Sequence, residues 1–164
     1  MKKLIVLALI CFGAISCAEK KVEEEKIDKS KTLVALKKLP KSNEPNEKAS
    51  LILHDWTEYN AFHSAFRSIY NVDNREDLTI ALEGLIEKQK LLEASTYPEE
   101  FDRPDIKSRL RTVRTYVLKT KLDMEFDINP RESVIQMVTA YNALSNQFSI
   151  VVKSTLDPKV LFDE

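Results

Sequence analysis

The sequence predicts an all-α fold, an up-down-up-down four-helix bundle behind a flexible N-terminal tether. Three observations carry that expectation. Apolar residues beyond position 50 recur at helical rather than strand spacing. Helix-starting signals precede several of these segments. The connections near residues 71–73 and 127–129 are short enough to set neighbouring helices antiparallel. An irregular three-helix core with one displaced helix is the alternative assembly.

The first helix, A, is expected over residues 45–70, with Ile52, Trp56, Tyr59, His63, Phe66 and Tyr70 on one stripe. Helix B spans residues 74–95 and opens on Asp73-Asn74-Arg75-Glu76 in the manner of a capping box. Its stripe is Leu78, Leu82, Leu85, Gln89 and Leu92. A longer connection containing Pro98 leads to helix C, which follows Pro104 and carries Ile106, Leu110, Val113, Val117, Thr120 and Met124. Helix D starts at Asn129-Pro130-Arg131-Glu132, a capping side chain followed by proline at the first helical position. Its stripe is Val134, Val138, Tyr141, Ser145, Phe148 and Val152, thickened by Met137, Leu144 and Val151.

Ahead of the bundle the composition is different. Residues 18–49 hold nine lysines and seven acidic residues among thirty-two positions, a density that disfavours a core and reads as a tether. One apolar island interrupts it, residues 33–36 with Leu39, stopped by Pro40. Three parts follow: residues 1–16 as an export signal, 17–49 as the tether, and 50–164 as the helical domain.

The first seventeen residues carry the sharpest signal. Lys2 and Lys3 precede an apolar run over residues 4–15, too short to span a bilayer as a helix but suited to a secretory signal. The run ends at Ala14-Ile15-Ser16-Cys17, which resembles the lipobox of bacterial lipoproteins, with Ala14 where leucine is usual. The resemblance covers the signal alone. It implies that Cys17 is lipidated and becomes the new N-terminus, so that the protein sits on a membrane without crossing it. The charged residues 18–25 look like the stretches that mark surface display in some Gram-negative lipoproteins, and Ala18 replaces the aspartate associated with inner-membrane retention. The implied location is the cell envelope, at the outer membrane, on its periplasmic face or the cell surface. With Cys11 inside the signal, Cys17 is the single mature cysteine, which excludes an intramolecular disulfide.

Several function classes are excluded by composition and spacing. The only glycine after the signal is Gly84, so glycine-rich phosphate loops, dinucleotide fingerprints and nucleophile elbows are ruled out. Lysine and arginine total 25 against 26 acidic residues, which gives no reason to expect nucleic acid. Outside the apolar stripe, no aromatic residues interleave with the basic residues of helix C (Lys107, Arg109, Arg111, Arg114, Lys119, Lys121). These basic residues face Glu83, Glu87 and Glu93 of helix B, so helix pairing is their expected role. No metal site is expected: neither His54 nor His63 has a glutamate three residues earlier, and they are half a helical turn out of phase. His54 falls on the outer face, within reach of Glu58.

Two places remain. His63 and Met137 each lie seven residues from the same end of the bundle, about 10 Å along their helices. A His/Met pair is one way to hold haem iron, whereas the plainer expectation is a histidine bonded to a tyrosine or water with Met137 filling a gap. No cofactor is expected. Helix D is the stronger pointer, because residues 133–152 carry no formal charge in a chain that is 31% charged. With Tyr141 centred on the core, Ile135, Gln136, Thr139, Ala143, Asn146, Gln147 and Ile150 lie outside. Such a face is either covered, by residues 33–39 or by Leu156, Leu161 and Phe162, or used by a partner protein or a second copy. The resulting expectation is a membrane-anchored, non-enzymatic binding or envelope-organising bundle, with a haem- or small-ligand-binding bundle as the alternative.

Overall fold

The computed structural model describes residues 39–154. The signal, Cys17, the island at residues 33–38 and the tail at 155–164 lie outside them. The described residues form five helices and no strand: α1 (Glu47–His54), α2 (Thr57–Ser68), α3 (Arg75–Ala94), α4 (Pro104–Glu125) and α5 (Arg131–Ser154). Short 3-10 turns occupy Ile69–Asn71 and Glu99–Phe101. The four longer helices α2–α5 make the bundle. α4 and α5 pack most extensively, α3 joins α2 to α4, and α1 lies against α5 and α2.

Helix starts follow local chemistry. The Asn46 side chain accepts from the Ala49 amide at 2.9 Å, Asn74 from Asp77 at 2.7 Å and Asn129 from Arg131 at 3.0 Å. Pro104 opens α4, where its missing N–H removes nothing the helix needs. α4 ends at Glu125; just beyond it Asp127 takes the left-handed conformation with φ 55°, and the Ile128 amide donates back to the Asp123 carbonyl at 2.8 Å. Arg75 completes that end from α3. Its guanidinium donates to the Met124 carbonyl and pairs with Asp127 at 3.0 Å.

The stripes expected on helices B, C and D are all buried, with Asp123, Ser133 and Ala140 added at their edges. Glu83 and Glu93 of α3 pair with Lys121 and Arg114 of α4 at 3.4 and 2.8 Å, while Glu87 pairs with its neighbour Lys88.

Helix A is corrected: one continuous helix over residues 45–70 does not form. Asp55 ends α1 and Trp56 adopts an extended backbone (φ −92°, ψ 91°). At the break the indole lies in the core, where Trp56 is 3% exposed and donates to Ser95 Oγ at 2.9 Å. Asn60 covers the end of α1 by donating to the His54 carbonyl at 2.7 Å. The buried set is therefore Ala49, Leu53, Trp56, Tyr59, Phe62, Phe66 and Ile69. Ile52 and His63 sit at its margin, and Tyr70 is exposed. With the backbone turned at residue 55, His54 contacts Asp55 at 3.1 Å rather than Glu58.

α2 and α5 meet through large rings. Phe66 stacks on Tyr141 with centroids 3.8 Å apart, and Tyr59 sits edge-on to Phe148 at 5.3 Å. Phe148 also meets Phe101, the buried residue of the connecting 3-10 turn, at 4.7 Å. Truncating Phe148 to alanine is expected to cost about 3–5 kcal/mol, because a ring shared by three elements leaves a cavity that cannot collapse. Ile80→Ala, at a side chain 68% exposed, is expected to stay within about 0.5 kcal/mol. Urea unfolding of the two variants measures both.

Candidate functional site

The outer face of α5 is divided by its neighbours. Ile135, Gln136, Ala143 and Gln147 are half-buried, whereas Thr139, Asn146 and Ile150 are exposed. Gln147 is held by α4, donating to Asp105 at 3.0 Å. The opposite flank is covered by residues 39–46, a stretch that the composition assigns to the tether. These residues run as a strap in the seam between α2 and α5. The Asn43 amide donates to Asn142 Oδ1 at 2.7 Å, and Asn142 Nδ2 donates to the Lys41 carbonyl at 3.0 Å. Further along, the Asn46 amide donates to Ser149 Oγ at 2.9 Å and its side chain to the Ser149 carbonyl at 3.2 Å. From the end of α2, Tyr70 donates to the Pro40 carbonyl at 2.8 Å. Leu39 packs against the core at the strap's start. The other segments expected as cover, residues 33–38 and 155–164, fall outside the described residues.

Beneath the strap lies a polar cluster built on Tyr141. This ring is 1% exposed, so its hydroxyl needs partners inside the protein. It finds His63 Nδ1 and the hydroxyl of Tyr59. With Tyr141 donating to Nδ1, the Nε2–H of a neutral imidazole is left facing Glu44 Oε2 of the strap, 3.7 Å away. Arg67 holds the other oxygen of Glu44 at 3.3 Å. Burial raises both phenols, Tyr59 to about 12 and Tyr141 beyond it, so both remain protonated donors rather than bases. Burial also lowers His63, with Arg67 adding to the effect and Glu44 opposing it. The imidazole is therefore neutral and both of its nitrogens face protein groups. Met137, the residue expected to share an iron with His63, is completely buried in the core. Among the described residues no group of three histidine, cysteine or carboxylate side chains converges as a metal site.

A third feature lies at the end of the bundle where α3 meets α4. Two clefts, of about 530 and 470 Å³, flank Tyr97 in the connection between those helices. One is lined by Leu51, Ile52, Trp56 and Pro98, the other by Glu93, Asp102, Lys107 and Arg111. Tyr97 packs on Trp56 at 4.8 Å and carries the Lys107 ammonium over its ring at 5.0 Å. Lys107 also pairs with Asp102.

No family model, curated protein or solved structure matches this chain. Glu44, Asn142 and Ser149 are not marked by the sequence pattern, because their roles depend on a strap lying in a groove, which no periodicity announces. Tyr141 does carry a signal, since a tyrosine at the centre of a core stripe requires a partner for its hydroxyl.

The His63 cluster gives stability a pH dependence of definite sign. In the folded state the imidazole binds its proton below the ordinary value of 6.5, so on acidification the unfolded chain takes up the proton first. Stability held by neutral His63 is complete above that ordinary value. It falls as pH drops through it toward the lowered folded value, and levels off below that. Thermal melts from about pH 7.5 to about pH 5.5 are expected to show this decline in the native protein and a flatter profile in His63→Gln.

Proposed function

We propose that this chain is a lipid-anchored, non-enzymatic domain of the cell envelope that binds a partner protein, or a second copy of itself, through the outer face of α5. The single observation that carries the reading is the uncharged ridge of Thr139, Asn146 and Ile150, with Ala143 beside it, left open between the strap and α4. A solvent-facing ridge on a helix of this length ordinarily carries lysine and glutamate. Low charge and small polar side chains suit close packing against another surface. The lipobox-like Ala14-Ile15-Ser16-Cys17 supplies the anchor in this reading, with the outer membrane, on its periplasmic face or at the cell surface, as the location. Among the described residues no helix is long and apolar enough to cross a membrane.

Two experiments address the two halves of the proposal. Cys17→Ala is expected to shift the protein from the membrane fraction to the soluble one, because lipidation is lost. Retention of the variant on membranes after a high-salt wash counts against the anchor. Replacing Ala143 and Ile150 together with glutamate is expected to leave the helical circular dichroism unchanged and to abolish association. Sedimentation of the purified protein reads self-association, and crosslinking in its own membranes reads a different partner. Unchanged association in both assays removes α5 as the contact surface.

A further inference from the structure

We propose that the exposed face shared by α3 and α4 pairs two copies of this chain, α3 against α3 and α4 against α4, about a two-fold axis lying in that face. The inference is independent of the α5 reading and leaves α5 to a protein of another kind.

The face is apolar where solvent ordinarily meets charge. Ile80 and Leu91 of α3, Leu118 and Leu122 of α4, and Phe126 just beyond it are five of the nine large apolar side chains exposed among the described residues. Their concentration on two neighbouring helices marks a contact surface rather than scattered exposure. Gly84 lies one turn from Ile80 on the same face. A Cβ there would meet nothing within 4 Å. The fold itself therefore has no need of a residue that weakens a helix relative to alanine. Glycine leaves room for the close approach of another surface.

Self-complementarity decides the occupant. The ion pairs Glu83–Lys121 and Glu93–Arg114 set α3 antiparallel to α4, with Glu83 at the height of Lys121. From that height α3 runs on about two and a half residues to the midpoint of Leu85 and Ile86. α4 covers the same distance, against its own direction, to the midpoint of Leu118 and Lys119, so one axis across both helices passes through both points. Rotation about it brings Glu83 opposite Lys88 of the second copy, Ile80 opposite Leu91, and Gly84 opposite Glu87. On α4 it brings Leu122 opposite Thr115 and Phe126 opposite Arg111, a ring facing a guanidinium. Each contact occurs twice. Lys88 is available for its part, because its in-chain contact is the adjacent surface residue Glu87 at 3.1 Å. A two-fold axis running along the helices lacks this match, since it sets Asp77 at the height of Asp127, carboxylate against carboxylate.

Sedimentation equilibrium of the purified full-length protein tests the pairing, under reducing conditions and in detergent where the anchor requires it. The native chain is expected to form dimers at about 100 μM, and a monomer at that concentration overturns the proposal. Lys88→Glu is expected to raise the dimer's dissociation constant by about tenfold, and adding Glu83→Lys to recover most of the loss. An unchanged constant in the single variant, or a loss that the second substitution does not recover, overturns the pairing. Ile80→Glu with Leu122→Glu is expected to leave the helical circular dichroism intact and the protein monomeric. A dimer that survives both glutamates overturns the proposal. Ala143→Glu with Ile150→Glu is expected to leave this dimer unchanged, whereas a dimer lost in that variant belongs to α5 and also overturns it.

Discussion

The Tyr141 hydroxyl sets the terms for one whole side of this bundle. A phenol buried without a hydrogen bond costs about 1–3 kcal/mol, so the ring's stacking on Phe66 is favourable only if its oxygen is satisfied. Tyr59 and His63 supply the partners, both from α2, which fixes the rotation of α2 against α5. His63 then presents its second nitrogen outward, where Glu44 of the strap faces it and Arg67 holds Glu44. Each step satisfies the polar group exposed by the one before. The chain of dependence runs from the core to the surface, and it explains why a stretch bordering so much charge lies down on the protein at all.

The break between α1 and α2 serves the same logic at the other end. A single helix would keep residues 56 and 59 in register on one stripe. Trp56 instead leaves the helix, reaches Ser95 with its N–H, and lies between Tyr59 and Tyr97. The indole thereby ties the start of α2 to the end of α3, where the chain has no short turn to hold them together. Phe101 plays the corresponding part between the α3–α4 connection and α5.

Legibility follows periodicity. The stripes of α3, α4 and α5 can be read residue by residue because each helix buries one face throughout its length. The Asn74 and Asn129 caps are legible because capping is local chemistry. The first helix departs from its pattern at Asp55 and Trp56, where the backbone leaves the helix and the indole N–H reaches Ser95, a tertiary contact that local rules do not announce. Phe62 and Ile69 accordingly replace His63 and Tyr70 in the core. The outer face of α5 is recognisable as unusual from its missing charges. Its actual cover is not, because Asn142 and Ser149 look like any other polar surface residues until the strap lies beside them.

The strap's bonds run in the same direction along both partners, residues 41 and 43 to Asn142 and residue 46 to Ser149. Any pull reaching the domain from its N-terminal side therefore meets α5 before it meets α1. A force along the seam loads these bonds together, in shear, with Tyr70 and Arg67 adding resistance from the α2 side. A force perpendicular to it peels them one at a time, starting at Pro40. Tension along the seam is thus shared by all of the strap's bonds, whereas tension across it falls on one bond at a time.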